Sequence, residues 1–123
     1  VAAPGASPAA RVDLKALFPS RTDDVVARVG RAVEVERPRR VRILAGSDDA
    51  LRVWVNGALA IERLVLRGAA PDQDRATVAL RQGVNTLVAE VSQGNGDWAL
   101  YLRLEDESGA PLVISPRGRL QAP

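Results

Sequence analysis

From residue 25 onward, apolar and polar residues alternate in steps of two, the spacing of strands with one face turned inward. "VVARVGRAVEVE", Val25 to Glu36, places Ala27, Val29, Val33 and Val35 on one parity, with Gly30 suggesting a bulge or bend. "RVRILA" sets Val41, Ile43 and Ala45 on one face. "LRVWVN" turns Leu51, Val53 and Val55 inward and sends Arg52 and Trp54 the other way. Asn56-Gly57 then predicts a tight hairpin, because both central positions of a type I′ turn need positive φ. "ALAIE" returns with Leu59 and Ile61 paired against the preceding strand. The parity slips after Glu62, where Leu64 and Leu66 are apolar instead, so the strand is expected to end or bulge there.

"GAAPDQDR", Gly68 to Arg75, reads as a loop, and "ATVAL" as the strand after it. "RQG" turns the chain into "VNTLVAEV", Val84 to Val91, which is apolar on both parities, as expected of a central strand covered on both faces. "SQGNGD" is a second turn cluster. "WALYLRLE" faces Trp98, Leu100, Leu102 and Leu104 one way and Tyr101 and Arg103 the other, and "PLVIS" supplies a closing strand. About eight short strands with regular turn signals predict an all-β fold, an antiparallel β-sandwich or jelly roll.

The two ends read differently. "VAAPGASPAA", Val1 to Ala10, has the composition of a linker. "VDLKALF", Val12 to Phe18, is a short helix or an extended segment pinned to the core by Leu14, Leu17 and Phe18. "SPRGRLQAP", Ser115 to Pro123, is expected to fray. The expected organisation is a linker and N-terminal segment over 1–24, a sandwich over 25–115 and a tail over 116–123. With Val1 first and no methionine, the chain reads as a mature form or a piece of a longer precursor.

Composition narrows the chemistry. A chain of 123 residues that is 46% hydrophobic has enough apolar material for one core. Without cysteine or histidine, thiol and imidazole nucleophiles, histidine bases and almost every zinc site are excluded. A metal would have to be held by oxygen, which favours calcium. The net charge is +2 and the basic residues, nearly all arginine, are scattered, with one dense patch at "RPRRVR", Arg37 to Arg42. Nucleic-acid binding usually shows a basic stripe, so solvated strand faces are the preferred reading and no nucleic-acid partner is expected. No apolar run approaches the roughly 20 residues of a membrane helix, and no membrane span is expected.

Asp48-Asp49 lies between two predicted strands. Aspartates favour turns because their side chains bond nearby backbone amides, which requires no ligand. Adjacent carboxylates at a sheet rim also suit calcium, but that ion takes six to eight oxygens, so Asp72, Asp74, carbonyls or water would have to complete the shell. The turn is the preferred reading. Trp54 and Tyr101 lie off the inward parity and would make a platform for a sugar ring, or simply cover an outer sheet face. Arg67 with Asp72, Gln73 and Asp74 would grip a polar ligand or hold its own loop by an ion pair, the commoner outcome. Paired carboxylates can run glycoside hydrolysis. Adjacent aspartates on a turn diverge, however, and no enzyme is expected.

Taken together, "GSDDALRVWVNG", "RGAAPDQD" and "LRQGVNTLVAEVSQGNGDWALYLRLED" resemble the galactose-binding-like jelly-roll domains, such as the sugar-binding domain of family 2 glycoside hydrolases and accessory modules of large secreted bacterial proteins. The resemblance runs from about Val25 to Gly109. The "SDD" ahead of the V-W-x-N-G hairpin also resembles the PA14 module, in which paired aspartates help bind calcium and sugar. The resemblance implies a non-catalytic carbohydrate-binding or accessory module of a larger extracytoplasmic bacterial protein, the alternative being a structural or protein-interaction domain without a small ligand. Its partners would be carbohydrate or neighbouring domains of the same polypeptide. Candidate ligand residues are Trp54, Tyr101, Arg67, Asp72 and Asp74, with Asp48 and Asp49 the candidate calcium residues and no other cofactor expected. In such domains Asn56 and Asn85 sit in hairpin turns and serve the fold.

Overall fold

Period-two alternation makes each strand two-faced, and sheets built from such strands bury their apolar faces against another layer, here a second sheet. The computed structural model, which describes residues 11–17, 25–93 and 98–123, shows this solution. Its strands are β1 (Arg11–Asp13), β2 (Val25–Val35), β3 (Arg39–Ser47), β4 (Leu51–Val55), β5 (Ala58–Arg63), β6 (Asp74–Leu80), β7 (Gly83–Gln93), β8 (Ala99–Asp106), β9 (Pro111–Ile114) and β10 (Leu120–Gln121), with one short helix, α1 (Leu14–Leu17). A first sheet runs β2-β7-β4-β5. A second runs β10-β9-β8-β3-β6, with β1 also paired to β8. The fold is an antiparallel β-sandwich.

The inward parities meet between the sheets. Val29, Val33, Val53 and Val91 of the first face Val41, Ile43, Leu100 and Leu104 of the second, all buried. Each such side chain stabilises the fold by about 1.5–3 kcal/mol on leaving water. Trp98 and Leu14 are buried with them, so α1 is anchored through Leu14, while Leu17 is 39% exposed. Phe18 and the turn at Gly94 to Gly96 lie outside the described residues.

The Asn56-Gly57 hairpin forms as expected, with φ of 50° and 81° at the two positions. Other local expectations are corrected. Gly30 makes no bulge: β2 and β7 pair without a break from Val25↔Gln93 to Val35↔Gly83. The bulge lies instead at Ala60, where Val53 pairs with Ile61 but Trp54 pairs with Leu59. That extra residue sends Ile61 inward and leaves Leu59 51% exposed, though the two are only two positions apart. β7 is central, yet only one of its faces is covered; Val84 on the other is 55% exposed. The segment from Ser115, expected to fray, is a hairpin. Ser115 and Arg119 close it, Gly118 takes a φ of 85°, and β10 pairs with β9. The Glu34 amide donates to the Gly118 carbonyl at 2.7 Å and so seals that side of the sandwich.

Candidate functional site

Asp74 opens β6 on the inward parity, and its side chain is 2% exposed. A buried carboxylate is tolerable only when paired. Arg67 grips it with two donors, Nη2 to Oδ2 at 2.5 Å and Nη1 to Oδ1 at 3.2 Å. Arg63 adds its Nε at 3.1 Å from Oδ1. One carboxylate thus holds an arginine on either side of Leu64-Val65-Leu66.

The rest of the connection between β5 and β6 is fastened to the end of β3. Arg67 donates to the Ser47 carbonyl at 3.2 Å and to the Ser47 hydroxyl at 3.1 Å. Its backbone N–H reaches Asp49 Oδ1 at 3.2 Å, and the Asp49 N–H returns to the Arg67 carbonyl at 3.0 Å. Gln73 bridges the Ser47 N–H and the Gly68 carbonyl. Gly46 is required here, because a Cβ would sit 1.7 Å from the Ala70 oxygen. Between these fastenings, Leu64, Val65 and Leu66 stand 66%, 39% and 89% exposed. Solvent does not favour a projecting run of three apolar residues, and such patches mark contact surfaces.

The sequence-derived candidates divide. Arg67 and Asp74 come together as the ion pair. Asp72, two residues away, does not join them: its φ is 57°, and this left-handed step turns it onto the outer face of the second sheet. There it accepts two bonds from Arg103, at 2.8 and 3.0 Å. Arg103 continues to Glu105, and Glu105 to Arg42, which takes one arginine of the dense basic patch into a pair. The Arg103 hydrogen bonds, reinforced by its charge, hold the Asp72 carboxyl below the usual carboxylate range.

Trp54 and Tyr101 are not neighbours. Trp54 lies on the outer face of the first sheet with the Arg28 guanidinium 5.4 Å over its ring, while Tyr101 lies on the outer face of the second under Arg11 at 5.9 Å. Beside Trp54 runs a cross-strand row of alternating charge, Arg28–Glu90–Arg52–Glu62, joined by bonds of 2.8, 3.3 and 2.8 Å. Asp48 donates its N–H to the Ala99 carbonyl, and the Asp48-Asp49 pair forms a bend with Asp49 at a φ of 65°. The further carboxylates an oxygen shell would need, Asp72 and Asp74, are each held by arginine. Among the described residues no three acidic side chains gather. No described helix is long and apolar enough to cross a membrane.

Sequence reasoning did not single out Arg63, Arg28, Glu90, Arg103 or Glu105. For the projection a signal existed, the string R-L-V-L-R at Arg63 to Arg67, legible only as a break in parity.

No family model matches the sequence, and no curated protein matches it. A solved structure described as an anti-sigma factor domain-containing protein superposes with a TM-score of 0.69 at 20% identity, over 95% of this chain. This chain spans 42% of that protein's length. The likeness is one of fold, and the fold it shares is the antiparallel β-sandwich.

Proposed function

We propose that the chain is a non-catalytic accessory module, of the galactose-binding-like jelly-roll kind, within a larger extracytoplasmic bacterial protein, and that it works by docking a protein surface. The observation that carries this reading is the projection of Leu64-Val65-Leu66 between two arginines fixed by Asp74. Apolar side chains presented on a fastened backbone lose little freedom on binding, which is how a contact surface gains affinity. Two guanidinia share one carboxylate at its base, so the surface favours an apolar partner with acidic groups around it. The structural relative, more than twice as long as the shared fold, supports the place of such a sandwich within a larger protein. The absence of cysteine and histidine from the sequence and the engagement of Asp72 and Asp74 by arginine support a role without catalysis.

A sugar-binding role is the second reading, favoured by half-exposed Trp54 on an open sheet face beside arginine and glutamate. Peptides selected from a displayed library against the domain, together with a glycan array, separate the two. The docking reading expects apolar, acidic peptides whose binding is lost in Leu66→Asp and kept in Trp54→Ala. Glycan binding that disappears in Trp54→Ala, with no peptide sensitive to Leu66, would replace it.

A further inference from the structure

A sandwich of two open sheets has edges, and every edge offers unpaired backbone groups to any passing strand unless something blunts it. Three of the edges in this fold are blunted. β2 is sealed by the Gly118 carbonyl and by the Glu34↔Arg119 bridge. β5 carries the Ala60 bulge and ends in Glu62 and Arg63. On the far side of the second sheet, β10 and β1 are two and three residues long. The remaining edge is β6.

Apart from Asp74 and Arg75 at its start, β6 shows none of these devices among the described residues. It pairs with β3 in unbroken register from Arg39↔Leu80 to Ala45↔Asp74, so it carries no bulge. It contains no proline and no lysine, and the stretch from Ala76 to Leu80 is uncharged. Beside it, between β5 and β6, lies an open groove of about 340 Å³ lined by Val55, Ala58, Leu59, Ala60, Thr77, Val78 and Ala79, again without a charge. Among the described residues β6 pairs only with β3, so a strand approaching its other side meets backbone outside any described ladder and small apolar side chains.

The strand can pair with a second copy of itself without opposing like charges. A two-fold axis through Thr77, the middle of the seven residues, sets Asp74 opposite Leu80, Arg75 opposite Ala79 and Ala76 opposite Val78 of a second copy. All seven residues pair, the outward side chains of Arg75, Thr77 and Ala79 stay on a common face, and no like charges are opposed. Neighbouring registers that keep the faces aligned are worse. Centring on Val78 opposes Arg75 to Arg81, and centring on Ala76 runs the pairing beyond Asp74 to Asp72, whose φ of 57° has already left the strand. Self-complementarity of one patch is what a closed two-fold interface requires.

We infer that β6 is a dimerisation edge, and that two copies join their second sheets through antiparallel pairing centred on Thr77. This goes beyond the proposed docking role and does not depend on it, since it uses no residue of Leu64 to Leu66.

The test is sedimentation velocity of the chain over a concentration series, with Thr77→Asp and Thr77→Lys beside it. Thr77 is exposed, so neither substitution disturbs the core. A circular dichroism melt of each variant checks that the fold is kept. The wild type should pass from 13.1 kDa to twice that mass as concentration rises. Each variant alone, with like charges directly opposed, should stay at one copy, and an equal mixture of the two should recover the dimer. A wild type that remains a single copy up to its solubility limit overturns the inference. Variants that dimerise like the wild type overturn it too, because another surface would then join the copies. Monomeric variants that fail to associate when mixed overturn the pairing centred on Thr77.

Discussion

The side-chain amide of Asn56 donates to the carboxamide oxygen of Asn85 at 2.9 Å, joining the turn of the β4–β5 hairpin to the start of β7, whose Asn85 also holds the turn from β6. Asn85 is fully buried, accepts from the Arg81 N–H at 3.0 Å, and donates to the carbonyls of Arg81 and Gly83. Asn56 in turn accepts the Thr86 N–H at 2.9 Å and donates its own N–H to the Thr86 carbonyl. Two loops distant in sequence are thereby locked into one end of the sandwich. Asn85→Ala leaves several backbone groups without their partner and is expected to cost about 3 kcal/mol, read in a thermal or urea melt. Paired with Asn56→Ala in a double-mutant cycle, it should show a coupling of about 1 kcal/mol. Strict additivity would mean the two turns are independent.

Glycine matters at Gly46 and Gly57 for different reasons, and alanine substitution distinguishes them. At Gly57 a Cβ meets nothing within 4 Å and the obstacle is a φ of 81°, so Gly57→Ala should cost about 1 kcal/mol. At Gly46 the Cβ would fall 1.7 Å from the Ala70 oxygen, and the connection between β5 and β6 must lift off β3. Gly46→Ala should therefore lower the melting temperature more than Gly57→Ala, and an equal or smaller drop would count against the packing of that loop.

Acid should unfold the protein in a way two carboxylates help to set. Asp72 is held below its ordinary 3.8 by hydrogen bonds from Arg103, and Asp106 below the same value by the Ser108 hydroxyl and the backbone amides of Ala110 and Ser108. A carboxyl whose folded pKa is depressed adds stability that is complete above its unfolded pKa and is lost as pH falls through the folded one. Melts taken from neutral pH downward should show stability declining below about pH 4, where unfolded carboxylates begin to bind protons. The decline should be shallower in Asp72→Asn. An identical acid profile for that variant would mean the Arg103 pair contributes nothing.

Much of the sandwich was legible because burial imposes a period of two: β2, β4 and β8 show it in Val29 and Val33, in Leu51 and Val53, and in Leu100 and Leu104. Asn56-Gly57 was legible because left-handed backbone restricts residue choice so strongly. The bulge at Ala60 was not, since alanine fits either face and leaves no mark on the pattern. The C-terminal hairpin was hidden by Pro116 and Gly118, which read as loose chain although Gly118 supplies the φ its turn needs. At the site, local sequence brought Arg67 and Asp74 to notice together. It could not show that Asp72 faces Arg103, 31 positions away, or that Trp54 and Tyr101 belong to different sheets. Those pairings come from strand order, which periodicity does not encode.

Removing the carboxylate that holds the projection should be costly. Asp74→Ala leaves Arg67, whose side chain is 19% exposed, and Arg63 without their shared partner. Breaking one side of a buried pair typically destabilises by about 3–5 kcal/mol. A chemical-denaturation midpoint unchanged in Asp74→Ala would contradict the buried clamp.

The central claim is that Leu64-Val65-Leu66 is presented on fixed backbone, and nitrogen-15 relaxation of the amides of Leu64 to Arg67 tests it most directly. In the wild type the order parameters there should be close to those of the flanking strands, about 0.85, and they should fall in Asp74→Asn, where the ion pairs that fasten Arg63 and Arg67 are gone. Wild-type values below about 0.6 at these amides, or values that Asp74→Asn leaves untouched, would contradict the account.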